Sequence, residues 1–174
     1  MAFDIDKEEI HVVDHRSDWP EKYRKEATML ATILKNHPLE MAHIGSTAVP
    51  GLKAKPIVDI AVKFADVAVI PEYVPALEEY GYHYFGEFIF PRWHYLCRGE
   101  PREFNLHVVD GTTEHWEVWN RFRHILMTND RIRNEYQQLK SELAQKYRYE
   151  RQKYTEGKTE FVTRILREFS ESQS

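Results

Sequence analysis

Gly45, Ser46 and Asp59 are the residues of this chain whose types and spacing could hold a phosphate. A glycine lets backbone amides approach an anion closely, and the hydroxyl that follows adds a donor. Gly45-Ser46 therefore reads as an anion cradle, with Thr47 beside it. A short helical turn beginning near Ser46 would aim more N–H groups at the same point. In this reading the Ser46 hydroxyl serves a ligand and contributes little to the core. Asp59 stands alone among Ile57, Val58, Ile60, Ala61 and Val62. A carboxylate in such a run must be paired, hydrogen-bonded or metal-bound to offset its desolvation. On the strand after the cradle it could hold a Mg²⁺ ion that bridges phosphates, which is nucleoside triphosphate chemistry. As a structural group it would instead pair with Lys53, Lys55, Arg92 or Arg98.

These residues need elements to position them. Asp18, with Pro20 in the first turn, predicts a helix over 20–35 that Asn36-His37-Pro38 stops. A strand over 40–44 leads into a loop over 45–55, and the apolar run 56–64 reads as the central strand. A helix over 71–80 and a turn at Gly81 come next. The runs 88–98 and 104–109, joined by Gly99-Glu100-Pro101, predict an antiparallel pair. From Thr113 the pattern is helical, with Trp116, Trp119, Phe122 and Leu126 on one stripe, read as helix core, and Tyr136, Leu139, Leu143 and Tyr147 on another. Asn129 or Thr128 caps the second of these helices. Thr155-Glu156-Gly157 interrupts the series before a last helix carrying Phe161, Ile165 and Phe169. Strand alternation puts Asp59, Ala61 and Lys63 on one face, and Asn105, His107 and Val109 on one face of the later strand. The expected fold class is α/β (α+β): a small mixed sheet with an N-terminal helix and a C-terminal helical bundle, one domain over 1–174.

Composition narrows the function. The chain has 174 residues, 42% of them hydrophobic, enough for one domain that buries about 70% of its unfolded surface. Its formal net charge of −4 argues against nonspecific nucleic-acid binding. Cys97 is the single cysteine and has no disulfide or zinc partner, and the acidic start of the chain is unlike a secretory signal, so a cytoplasmic location is expected. No segment is long and apolar enough to span a bilayer, and no membrane partner is expected.

The run His43-Ile44-Gly45-Ser46-Thr47-Ala48-Val49-Pro50-Gly51-Leu52, continuing through Ala54-Lys55-Pro56-Ile57-Val58-Asp59-Ile60, resembles the GrpB family, together with Leu106-His107-Val108-Val109. The resemblance extends through Trp116, Trp119, Phe122 and Arg123, then Tyr136, Leu139 and Lys140, then Tyr154, Lys158 and Phe161. It implies a nucleotidyltransferase-like fold with Gly45 and Ser46 as phosphate loop and Asp59 as the first metal-binding acid. The second acid of the superfamily's Asp-x-Asp pattern would stand at position 61, which is Ala61. The GrpB pattern often has histidine at the place of Asn105, so a His-x-His pair with His107 is broken here.

The function this implies is Mg²⁺-dependent transfer of a nucleotidyl group from a nucleoside triphosphate to a small acceptor. Asp59 and His107 would be catalytic, and Gly45, Ser46, Thr47, Lys55 and Lys158 would bind the nucleotide. His43, Arg92, Asn105, Arg123, Arg151 and Tyr154 stand in a wider ring of candidates. Thr155 as a cap would place Lys158 in the first turn of the last helix, beside free N–H donors. A nucleotide- or phosphate-binding module without transfer is the alternative, and a metal-dependent phosphoester hydrolase using His107 is a further one. Gly157-Lys158-Thr159 is not the end of a P-loop, because that pattern needs glycine where Gln152 stands.

Overall fold

The structure, a computed structural model, describes residues 8–35, 37–88 and 90–171. Most of the acidic start of the chain, the Asn36 helix stop and the Ile89 part of a predicted strand lie outside the described residues. In chain order the elements are α1 (Trp19–Ile33), β1 (Glu40–Ile44), β2 (Val58–Phe64), α2 (Ile70–Glu79), β3 (Tyr82–Glu87), β4 (Trp93–Arg98) and β5 (Phe104–Asp110). Four helices follow: α3 (His115–Thr128), α4 (Asp130–Lys146), α5 (Arg151–Glu156) and α6 (Thr159–Glu171).

Among the described residues the strands form one five-stranded mixed sheet in the order β1-β2-β5-β4-β3. β2 runs parallel to β5, and the other neighbours are antiparallel. β5 is therefore the middle strand, and β2, predicted as central, lies one place in from the edge. Period-two alternation sorts its side chains. Val58, Ile60, Val62 and Phe64 join Leu106 and Val108 of β5 in the main core, against Trp19 and Leu30 of α1 and Ile70 and Leu77 of α2. Asp59, Ala61 and Lys63 fall on the opposite face, as predicted.

α1 starts with Pro20 in its first turn and Asp18 at its N-cap position, but Asp18 caps it without its side chain. The Asp18 carboxylate makes no cap hydrogen bond and pairs with Arg16 at 3.0 Å. The Asn129 side chain does cap α4, its Oδ1 accepting from the Ile132 amide at 3.1 Å. Thr155, predicted as a cap, lies inside α5, and Lys158 directly precedes α6. β3 is the strand the sequence did not announce. It is an edge strand on which only Tyr82 is buried, so its residues show no clean alternation. No helix among the described residues is long and apolar enough to cross a membrane.

The C-terminal helices form a second core. Ile125, Leu126, Ile132, Tyr136 and Ile165 pack with Val49 and Leu52, which come from the loop between β1 and β2. That loop is thereby clamped to the helical layer.

Candidate anion-binding site

The antiparallel register of β1 and β2 sets Ile44 opposite Asp59, so the chain leaves β1 directly over the carboxylate. Gly45 makes the turn with φ +71° and ψ −173°, a conformation close to glycine-only. A Cβ on Gly45 would lie 2.6 Å from Asp59 Oδ2. Loop and acid thus touch, and only glycine fits between them. Ser46–Ala48 then forms one 3₁₀ turn. Further along, Val13 and Ala54 exchange backbone hydrogen bonds at 2.9 and 3.0 Å, and the Lys53 amide donates to Gln137 Oε1 at 2.9 Å. Lys55 is positioned by these anchors.

Asp59 is satisfied by neutral and histidine partners. Its Oδ1 accepts from Asn105 Nδ2 at 2.7 Å and lies 3.2 Å from His107 Nε2. β2 and β5 pair in parallel register, which aligns Asp59 with Asn105 and Ala61 with His107. Asn105 Oδ1 in turn accepts from the Tyr95 hydroxyl at 2.7 Å and from buried Arg102 at 3.2 Å. Burial pushes the Asp59 carboxyl up, yet His107, Asn105 and the charge on Lys55 outweigh it and hold its pKa below the ordinary value. Three of the four ion-pair partners offered by the sequence are committed elsewhere, and Lys55, the fourth, acts on Asp59 only through its charge, with no ion pair between them. Lys53 pairs with Asp14, Arg92 with buried Asp110, and Arg98 with buried Glu26. Arg92 is also absent from the pocket lining, so it leaves the candidate site. Ala61 is fully buried in an apolar cluster with Ile44, Val109 and Trp116.

A cavity of about 340 Å³ opens in front of Asp59 and the loop, lined by Gly45, Ser46, Thr47, Lys55, Asn105, His107, Arg123, Arg151, Tyr154 and Lys158. Most predicted site residues therefore meet in one place. His43 does not line it. Its Nε2 lies 2.9 Å from Thr47 Oγ1, its ring stacks on Tyr23, and its carbonyl accepts from Arg123. Burial lowers its pKa to about 4. His43 is a support for Thr47.

The pocket is cationic. Lys140 Nζ donates to Ser46 Oγ at 2.9 Å and also to the Lys53 carbonyl. The Ser46 hydroxyl therefore has a structural duty as well, contrary to the sequence reading. Lys55 and Lys158 both lie over the Tyr154 ring, 5.5 and 4.5 Å from its centroid. Neither ammonium has a hydrogen bond or ion pair among the described residues. Burial, reinforced by Lys158, Arg102 and Arg151, lowers Lys55 to about 7. Burial and Lys158 lower Lys140 to about 7, and burial lowers Lys158 to about 8 even with Asp59 near. Such an array favours an anion that would complete its charge.

The other wall is aromatic. Trp93 and Trp119 approach to 5.3 Å between centroids, each beside His107, and Phe88 and Phe122 extend the surface. The α3 stripe is thus divided: Trp116 is buried, whereas Trp119 and Phe122 line the cavity. Lys140, Arg102 and the aromatic wall were not singled out as site residues from sequence. Lys140 did carry a signal, since it continues the buried stripe Ile132, Tyr136 at four-residue spacing, where a lysine is out of place.

A resident Mg²⁺ ion asks for several oxygen ligands. Asp59 Oδ1 and Asn105 Oδ1 are both engaged, position 61 has no carboxylate, and Lys55 and Lys158 act on Asp59 electrostatically. Among the described residues no group of three or more His, Cys, Asp or Glu could hold a metal ion. This donor set does not fit a dedicated Mg²⁺ site.

Known proteins resemble this chain in sequence and in fold. The family model described as GrpB protein matches residues 9–168. A UPF0157 protein of Halalkalibacterium halodurans is 35% identical over 160 residues, 91% of this chain and 81% of its own. The crystal structure of conserved protein GrpB from Enterococcus faecalis superposes with a TM-score of 0.85 at 34% identity, covering 91% of this chain and 96% of that one. At fold level only, the Cid1 poly(U) polymerase with MgGTP bound gives a TM-score of 0.54 at 12% identity, with 77% of this chain matched to 44% of that one. The fold is nucleotidyltransferase-like, and with the loop, the strand acid and the helical motifs all inside the matched span, the chain belongs to the GrpB family.

Proposed function

We propose that the pocket binds a phosphorylated ligand of the nucleotide class, and that the protein is a nucleotide- or phosphate-binding member of the nucleotidyltransferase fold. The observation that carries this reading is the pair Lys55 and Lys158, set over one tyrosine ring in the cavity that the Gly45-Ser46 loop also lines, with no hydrogen bond or ion pair to either ammonium among the described residues. Phosphate oxygens would accept from these ammonium groups and from the loop. Trp93, Trp119 and Phe122 offer faces on which a base would stack.

Nucleotidyl transfer to a small acceptor is the second reading, favoured by the shared fold with a polymerase. Ala61 weighs against it, since such chemistry relies on paired acids holding metal. Hydrolysis through His107 has less support. Its Nε2 is engaged with Asp59, and its Nδ1 is buried without a partner among the described residues.

Calorimetric titration with ATP, AMP, adenosine and tripolyphosphate tests the proposal. Binding that strengthens with phosphate number is expected, and Lys158→Met should weaken ATP far more than adenosine. Equal losses for both would remove the electrostatic explanation. Pyrophosphate release with an offered acceptor would instead establish the transferase.

A further inference from the structure

We propose that the pocket takes its phosphate ligand as the bare anion, with Lys55 and Lys158 standing where a divalent cation would otherwise neutralise charge. The inference rests on the phosphate-binding reading and specifies the ionic form that is bound. A Mg²⁺–phosphate complex is held on the protein side by one or two carboxylates with oxygens free to face the ion. Here the carboxylate is single, one of its oxygens is occupied by Asn105 and His107, and the other lies against Gly45. The neighbouring position that could share a cation is alanine, buried in an apolar cluster. A bare phosphate chain, by contrast, is held by ammonium and guanidinium donors. Lys55 and Lys158 supply such donors together over the Tyr154 ring, and Arg123 also lines the cavity.

The geometry also gives Asp59 an unusual part. It lines the same cavity as Lys55 and Lys158, and its charge favours the protonated form of both, so it acts as a resident counter-charge, which an entering anion must outcompete. It is a positioning and tuning group toward the ligand, the opposite of an anchor for it. The two roles predict opposite outcomes for one substitution. Asp59→Asn keeps the shape and the hydrogen bond from Asn105 while removing the charge.

The experiment is titration of the full chain with sodium tripolyphosphate, once in EDTA and once with excess Mg²⁺, for the wild type, Asp59→Asn, Lys55→Met and Lys158→Met. Circular dichroism melts confirm that each variant is folded. The inference expects binding in EDTA at least as tight as with Mg²⁺, and tighter still for Asp59→Asn. Each lysine variant should lose about tenfold or more, the equivalent of one charge-assisted hydrogen bond. Binding that needs Mg²⁺ and disappears in Asp59→Asn overturns the inference while leaving the phosphate reading standing. Binding in EDTA that neither lysine variant weakens overturns the role given to the lysines. No binding in either condition overturns both readings.

Discussion

Gly45 answers two demands with one residue: a backbone conformation that side chains do not adopt, and contact with Asp59 too close for a Cβ. Gly45→Ala should cost roughly 1–3 kcal/mol from the backbone alone, and the clash with Asp59 adds to it. A thermal melt would show a fall of about 2–4 °C for each kcal/mol in a chain of this size. Ser46→Ala deprives the buried Lys140 ammonium of an acceptor. It should destabilise the ligand-free protein by roughly 1–3 kcal/mol, readable in urea, besides weakening phosphate binding. The sequence identified the loop residues because their chemistry is local. It did not disclose what holds them, since Lys140 reaches Ser46 across 94 residues.

The lysines also make stability depend on pH, and the sign follows from their direction of shift. Lys55, Lys140 and Lys158 titrate near 7, 7 and 8 when folded, whereas unfolded lysines hold their protons to about pH 10.4. Between those values the unfolded chain binds more protons, so the ligand-free protein should gain stability as pH rises from about 7 to 9. The charged groups that act on them are Asp59, Arg102, Arg151 and one another, and the rings of Tyr154 and Tyr136 face them. Melts across this range should rise in the wild type and rise less steeply in Lys158→Met. Tripolyphosphate binding should run the other way, tightest where the ammonium groups are charged.

At the scale of elements, α3 performs two tasks on adjacent turns. Trp116 is 6% exposed and packs into the sheet, so Trp116→Ala should cost about 3–5 kcal/mol in a denaturant melt. Trp119 lines the cavity, and its loss should spare most of that stability while removing about 1–3 kcal/mol of base stacking. ATP should therefore bind Trp119→Ala more weakly, with tripolyphosphate unaffected. Periodicity located this helix but could not separate its tasks, because both tryptophans sit on one stripe and only packing partners tell them apart. The same limit hid β3, whose exposed edge position leaves no pattern to read. α4 and β2 were legible because each buries a regular set of positions in a large core.

Over the whole molecule the charge is −4, yet the cavity gathers Lys55, Lys140, Lys158, Arg123 and Arg151 around one acid. Net charge, which made general nucleic-acid binding an unfavoured expectation, is silent about such local concentration. The fold brings the cluster together from three places: a loop between strands, the α3–α4 pair and the region from α5 to the start of α6. A ligand that joins these parts should stabilise all of them together. At 100 times its dissociation constant it would add about 2.7 kcal/mol to the stability of the fold, which a thermal-shift screen of phosphorylated compounds would register.

The packing around Ala61 bears on whether this architecture can be turned into a two-acid site. Ala61 is sealed by Ile44, Val109 and Trp116, so Ala61→Asp introduces a buried charge into a space already filled. It should unfold at markedly lower urea than the wild type. Paired with Trp116→Leu, which opens room for the carboxylate, the loss should be smaller than the sum of the two single effects. The alanine is entrenched: a first step toward a metal-binding pair is harmful by itself, and a change in a tryptophan on a different element eases it.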